Sequence, residues 1–263
     1  MQFEPPLLRG RLKSRYKRFL ADITLDDGAE ITASCPNTGS MLGLTAPGSV
    51  VWVSSSQSPT RKYEHTLEIV EADLGQGTVL VGINTGRPNA LVSAAITEGR
   101  IHELAGYPSL RREVRYGASS RVDLLLEEPG ERPAEGGQGK DLAEGGQGKR
   151  PAEGGQGKQC YVEIKNVHFM REPGVAEFPD SVTERGARHF DELAAMVAAG
   201  NRAVLLYLIQ RPDATGLKLA RDIDPAYGAA FDRATKAGVE AIAYRCTLTP
   251  SGITLGDRVP VLG

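Results

Sequence analysis

Two strands set the terms for this chain. "SRVDLLLE" (120–127) and "CYVEIKNV" (160–167) are apolar enough to be buried, yet each carries carboxylates, and the segment between them cannot build a core. Side chains alternate across a strand with a period of two. Tyr161, Glu163 and Lys165 therefore share one face, with Val162 and Ile164 on the other. In the first strand Arg121, Asp123, Leu125 and Glu127 share a face, with Val122, Leu124 and Leu126 opposite. The intervening stretch repeats "AEGGQGK" at 134–140, 143–149 and 152–158. Rich in glycine and almost without apolar residues, it cannot offset the entropy of ordering and reads as a disordered loop at about 129–158. Each doubling of a flexible loop costs only about 0.6 kcal/mol, so the strands on either side remain antiparallel partners. The repeat is not a phosphate loop. GxxxxGK[ST] needs glycine where Ala134, Ala143 and Ala152 stand, and Ser or Thr where Asp141, Arg150 and Gln159 stand.

With Asp123 and Glu163 on the same side, two carboxylates and a lysine converge on the sheet. Neighbouring carboxylates repel unless a cation sits between them. Oxygen ligands suit a hard ion such as Mg²⁺ or Mn²⁺, which keeps waters and binds through one or two carboxylates plus a substrate phosphate. Such an ion polarises a phosphoryl oxygen and acidifies bound water. Lys165 could orient that water or steady the developing charge. The competing explanation of Glu-x-Lys is an exposed ion pair, worth about 0–1 kcal/mol.

The organisation around this pair is α/β (α+β). The first eighty-odd residues read as all-β. "RFLADITL" alternates, "DDGAE" signals a hairpin, and "EITASCP", "SVVWVSS", "HTLEIVEA" and "TVLVGIN" follow between Gly, Pro and Ser clusters. About five short strands suggest a small barrel of the OB kind, with Trp52 in its core. From "RPNALVSAAITEGRI" the texture changes to a helix, with Asn89 as its N-cap. Then come "REVRYG", the two acidic strands, a helix opening near Ser181 or Thr183 and ending at Gly200, "RAVLLYLIQ", the helix "PAYGAAFDRATKAG" and the strand "EAIAYRCTLT". A mixed sheet covered by helices is the natural arrangement.

Composition narrows the function classes. The chain has 263 residues, 40% hydrophobic and 24% charged, with a formal net charge of −2, so attraction to a polyanion must come from local clusters. No apolar run suggests a signal peptide or a membrane span. Cys35, Cys160 and Cys246 lack CxxC spacing and read as reduced thiols of a cytoplasmic protein. His65, His102, His168 and His189 lack metal-ligand spacing, and alternation puts His168 on the face opposite Glu163.

In this order of elements, Asp123 with "E163-I-K165" looks like the PD-(D/E)xK nuclease superfamily. More narrowly, the chain resembles the sugar fermentation stimulation protein A family. The words that carry this are "RYKRFLADI" (15–23), "CPNTGSM" (35–41), "NTGRPNALV" (84–92), "IHELAGY" (101–107), "REVRYGASSRVDLLLE" (112–127), "YVEIKNV" (161–167), "FPDSVTERGARH" (178–189) and "IDPAYGAAF" (223–231). The resemblance implies an OB-fold domain over 1–84, a restriction-endonuclease-like domain over 85–263, and DNA binding. It assigns Asp123, Glu163 and Lys165 to the nuclease positions, with Asp123 and Glu163 on the metal. Glu103 takes the acidic position near the first helix, with Glu98 a weaker rival. It also implies a DNA-binding regulator of sugar (maltose) metabolism as the alternative to a nuclease. The repeat insertion departs from the family, as does Leu67, where an aromatic residue is expected.

A nucleic-acid partner has support from the residues themselves. Arg9, Arg11, Lys13, Arg15, Lys17 and Arg18 form a run without an acid, and Tyr16 within it could stack on a base. Arg61 and Lys62 add charge in another barrel loop, and Arg111, Arg112, Arg115 and Arg121 beside the acidic strands. Such clusters bind phosphates with little sequence information. The other explanation is a basic edge that guards a strand from pairing. Glu184 opens a helix, Arg185 could reach a phosphate, and Gln210 could line the site. A homodimer is an arrangement the sequence allows.

Overall fold

In residues 8–16 basic side chains alternate with small and apolar ones, and that alternation makes a strand. The structure, a computed structural model, describes residues 1–56, 58, 60–116, 120–128 and 159–262. The repeat segment expected to be a disordered loop lies outside the described residues. β1 (Leu8–Tyr16) turns Gly10 and Leu12 inward and Arg9, Arg11 and Lys13 outward. A Cβ at Gly10 would come within 2.6 Å of Thr24 O, so the inward position tolerates no side chain. β1 is a sixth strand beyond the five expected. It is central rather than an edge, paired with β2 (Leu20–Leu25) on one side and β4 (Val50–Ser55) on the other. The strand-guarding explanation of the basic run therefore fails.

The sheet order is β3-β2-β1-β4-β5-β6, with β3 (Glu30–Ser34), β5 (His65–Asp73) and β6 (Thr78–Gly82). A parallel contact of β3 with β5, Ala33 opposite His65, closes five strands into a barrel. Leu12, Ile23, Val51, Val53, Leu67 and Val81 fill it. Leu67 is core, not a stacking platform. Trp52 is not in this core: it packs outward against the second domain, and its Nε1 donates to Glu71 Oε1 at 3.2 Å.

α1 (Pro88–Thr97) begins with proline in its first turn, and its N-cap is Arg87, not Asn89. A short turn of 3-10 helix, His102–Leu104, leads to β7 (Ser109–Tyr116), β8 (Ser120–Glu127) and β9 (Gln159–Val167). β10 (Phe169–Glu172), β11 (Val175–Phe178), α2 (Glu184–Ala198) and β12 (Arg202–Ile209) come next. The chain ends with β13 (Gly216–Leu219), α3 (Pro225–Lys236), β14 (Glu240–Thr249), β15 (Gly252–Val259) and β16 (Val261–Leu262). The main sheet runs β15-β14-β12-β9-β8-β7, and a small sheet runs β10-β11-β13-β16. β12 is parallel to both its neighbours and buried from Ala203 to Ile209, which is why it reads as an unbroken apolar run.

Each face of the main sheet carries its own core. α1 packs Leu91, Val92 and Ala95 on Val162, Ile164 and Leu206. α2 and α3 pack Phe190, Leu193 and Tyr227 on Tyr161, Leu205 and Tyr207. The barrel is tied to the sheet where Gly82 N donates to Gln210 O at 2.8 Å and Gln210 Nε2 donates to Asn84 O at 3.2 Å. Gln210 is thus a fully buried link between the two halves rather than a lining residue. Among the described residues no helix is long and apolar enough to cross a membrane.

Candidate functional site

The site lies where β8 and β9 stop pairing. Leu124 opposite Val162 is the last paired position, so Asp123 and Glu163 occupy the next one on each strand. A backbone N–H left without a ladder partner must find another acceptor. Ile164 N donates to Asp123 Oδ2 at 2.7 Å, so the side chain replaces the missing strand carbonyl. The strict alternation of β8 fails at this point: Leu124 and Leu126 join the α1 core, while Leu125 and Val122 both join the α2–α3 core.

Asp123, Glu163 and Lys165 line one cavity of about 630 Å³. Glu163 is 3% exposed. Its Oε1 accepts from Lys165 Nζ at 2.8 Å and pairs with His189 Nδ1, while its Oε2 is buried without a hydrogen-bond partner. Burial pushes the Glu163 carboxyl upward, but the His189 bond and the Lys165 charge outweigh it and hold the group below its ordinary value. Asp123 goes the other way. Burial, and then the Glu163 charge, raise it, against opposition from the Ile164 N–H, Asn89 and Lys165.

Several residues at this site are not assigned to it by the sequence. Asn89 Nδ2 bridges Asp123 Oδ1 at 2.9 Å and Glu113 Oε1 at 3.0 Å. Glu113 holds a left-handed backbone, φ 52°, a costly conformation for a side-chain-bearing residue and one that clusters at functional sites. On α2, whose N-cap Thr183 accepts from Gly186 N at 3.1 Å, His189 and Glu192 reach the same cavity, and Glu192 also faces Tyr116. His189 has a detectable signal: a polar member beside Phe190 and Leu193 on the helix face that meets the sheet. Asn89 and Glu113 have none, because their approach depends on how α1 docks.

Arg121 and Arg188 stand at the cavity wall, exposed and without an ion-pair partner among the described residues. The side chains of Glu184 and Arg185 lie outside the described residues. Glu103 is elsewhere. It accepts from Tyr244 Oη at 2.6 Å and pairs with Arg258 Nε at 2.6 Å, and Tyr244 belongs to the α1 face of the sheet. Glu103 is thus committed to a structural bond on the far face. Glu98 lines a small groove beside α1, about 90 Å³.

The barrel cluster is more neutralised than its sequence suggests. Arg9 pairs with Asp26 at 3.1 Å and Lys13 with Glu30 at 2.7 Å. Tyr16 Oη donates to Asp22 Oδ1 at 3.2 Å. Arg15 Nη2 donates to the carbonyls of Arg18, Asn37 and Gly39 at 2.8, 2.8 and 2.9 Å. That clamp steadies a hairpin turn in which Lys17 and Arg18 are both left-handed, with φ 50° and 65°. Arg11, Lys17 and Arg18 have no ion pair among the described residues. Arg61 donates to Thr66 Oγ1 at 3.4 Å, and Lys62 lies over the Tyr63 ring.

Residues 14–83 match the family profile described as the SfsA N-terminal OB domain. Residues 86–135 and 148–252 match the sugar fermentation stimulation protein RE domain. The chain belongs to the sugar fermentation stimulation protein family. Its family relatives include the sugar fermentation stimulation protein homolog of Brucella ovis, 53% identical over 99% of this chain and 97% of the relative. The Brucella melitensis homolog is 52% identical over the same shares. The solved structure of Pyrococcus furiosus SfsA in complex with Ca²⁺ aligns over 100% of this chain and 98% of its own, with TM-score 0.79 and 24% identity. That likeness shows the shared fold: an N-terminal OB barrel followed by a restriction-endonuclease-like domain.

Proposed function

We propose that this chain hydrolyses DNA phosphodiesters with a divalent cation, Mg²⁺ or Mn²⁺, and with little sequence preference. The observation that carries the reading is the pair Asp123 and Glu163 at the end of the β8–β9 ladder, with Lys165 beside them and Glu163 Oε2 left without a partner in a buried position. The donor set fits a hard cation. It offers carboxylate oxygens only, and the burial and Glu163 charge that together raise Asp123 are both opposed by a positive charge between the two carboxylates. Among the described residues no three His, Cys, Asp or Glu side chains form a ready-made cage. Two carboxylates, with waters and a substrate phosphate completing the shell, is the arrangement Mg²⁺-type ions adopt. The Pyrococcus furiosus relative was solved with Ca²⁺, a cation of the same hard, oxygen-seeking class.

Asp123 and Glu163 would hold the ion, which when bound polarises a phosphoryl oxygen and acidifies water. Lys165 places its ammonium beside Glu163, where it orients the attacking water and steadies the developing charge. His189 fixes the rotamer of Glu163 from α2. Arg121 and Arg188 offer unpaired guanidinium groups to the phosphates on either side, and Arg11, Lys17 and Arg18 extend the path over the barrel. A cleavage assay on single- and double-stranded DNA with a panel of divalent ions tests this. Cleavage should require Mg²⁺ or Mn²⁺ and disappear in Glu163→Gln. Tight DNA binding without turnover under every ion would replace the nuclease with a DNA-binding regulator.

A further inference from the structure

A second cavity, about 250 Å³, opens between the barrel and the second domain and adjoins the first at Thr183, which lines both. One wall is the barrel loop at Asn37, Thr38 and Gly39; the other is the segment from Phe178 to Ser181, with Asn166 and His168 of the β9 region behind. We infer that this crevice receives one unstacked nucleobase next to the phosphate that reacts at the Asp123–Glu163 site, so that the substrate is single-stranded or frayed. The inference rests on the proposed reading of the first cavity as a phosphate site and names its substrate class.

The crevice is built rather than incidental. His168 is 5% exposed, and its Nδ1 has no hydrogen-bond partner. Its Nε2 lies 3.3 Å from Asp180 Oδ2. Asn166 Nδ2 is likewise buried and without a partner. The orientation of that amide is set by its neighbour. Gln210 Nε2 donates both to Asn84 O at 3.2 Å and to Asn166 Oδ1 at 2.6 Å, so the Asn166 oxygen must face Gln210 and its NH₂ must face away. Buried polar atoms left unpaired cost stability unless something completes them.

The walls are rigid. Ser40 Oγ donates to Asp180 O at 2.6 Å and Met41 N to Asp180 Oδ2 at 2.9 Å, locking the barrel loop to the opposite wall. A Cβ at Gly39 would stand 2.7 Å from Asp180 Oδ2, so the close approach requires glycine. Phe178 and Pro179 supply an apolar wall, and Phe178 is braced edge-on by Tyr207 and Tyr227.

These features select a neutral planar ring bearing both donors and acceptors. An aromatic and proline wall suits a π-face, and the unpaired Asn166 NH₂ and His168 Nδ1 suit ring-edge polar atoms. A phosphate or carboxylate is disfavoured, because Asp180 keeps its charge: burial opposes it, but His168, Met41 N–H and Ser40 hold its carboxyl well below the ordinary range. The volume is smaller than the roughly 300–1,000 Å³ of pockets for larger ligands, so it takes one ring rather than a stacked pair.

The test uses single-stranded pentanucleotides in which each position in turn lacks its base, titrated into wild type, Thr38→Trp and Asn166→Ala, with cleavage followed separately. Thr38 is exposed on the loop, so the tryptophan fills the crevice without entering the core. The wild type should show one position whose base removal weakens binding by about 5- to 100-fold. Thr38→Trp should abolish that discrimination, Asn166→Ala should reduce it, and a blunt duplex of equal length should bind more weakly than the strand. Uniform loss at every position, discrimination that survives Thr38→Trp, or no binding to any pentanucleotide would overturn the inference. Discrimination without cleavage would keep the base pocket and remove the hydrolytic reading. Cleavage without discrimination would do the reverse.

Discussion

The outer face of β1 and the cavity beside β8 and β9 are both lined with charge, and they treat it in opposite ways. On β1 two of the cations lined up by sequence meet acids of the neighbouring β2–β3 hairpin, Arg9 with Asp26 and Lys13 with Glu30, and Arg15 Nη2 donates to three carbonyls. In the cavity, Arg121 and Arg188 have no ion pair among the described residues, two carboxylates repel one another, and Glu163 Oε2 is buried without a hydrogen-bond partner. A row of like charges in sequence says little about the field it creates, because the neutralising strand can come from elsewhere in the chain. Groups left unsatisfied after folding are the better guide, since burying them costs free energy that only a ligand returns.

The largest effect should come from the cavity. Glu163→Gln and Asp123→Ala should each lower metal-dependent cleavage by about 10²–10³-fold, a magnitude seen when one preorganised electrostatic group is removed, while DNA affinity changes little. Cleavage rates within a few-fold of wild type would erase the distinction between the two regions.

Next comes a contrast within the barrel. Arg15→Ala should cost about 2–3 kcal/mol of stability, because it leaves the carbonyls of Arg18, Asn37 and Gly39 without their charged donor. Arg18→Ala should leave the melting temperature unchanged and weaken DNA binding instead. Equal effects of the two on denaturant midpoint would show that the clamp is not what holds the turn.

A smaller effect separates paired from unpaired cations. Removing Arg121 and Arg188 together should reduce the slope of log affinity against log salt by about 0.7–0.9 for each lost phosphate contact. Removing Arg9 and Lys13 together should leave the slope near its wild-type value, since their charges already face Asp26 and Glu30. The reverse ranking, measured by titration at several salt concentrations, would move the binding surface to the barrel.

The smallest effect is expected at Glu103. Glu103→Gln should leave cleavage intact and cost about 1 kcal/mol or less, because its bonds to Tyr244 and Arg258 lie on the opposite face and are partly exposed. A large loss of cleavage there would require the turn at 102–104 to reach the cavity.

The sequence carried the two acidic strands because period-two alternation is a local property. The barrel strands and the apolar β12 were legible for the same reason. β1 was not, since its inward positions include Gly10 and its outward ones are all basic, so charge masked the alternation. Glu103 was assigned to the site by resemblance, and only the docking of the 102–104 turn against Tyr244 shows which face it serves. Asn89 and Glu113 join Asp123 through the packing of α1 and a left-handed backbone on β7, neither of which has a pattern in the chain.

The central claim is that Asp123 and Glu163 together bind one divalent ion, and paramagnetic Mn²⁺ binding followed by electron spin resonance tests it most directly. The wild type should bind one Mn²⁺ per chain. Its affinity should grow as pH rises past the ordinary carboxylate value of about 3.9, because the raised Asp123 must lose its proton before it can serve as a ligand. Glu163→Gln should weaken that site by about 10- to 100-fold or more. Equal Mn²⁺ occupancy and equal pH dependence in the two proteins would contradict the account.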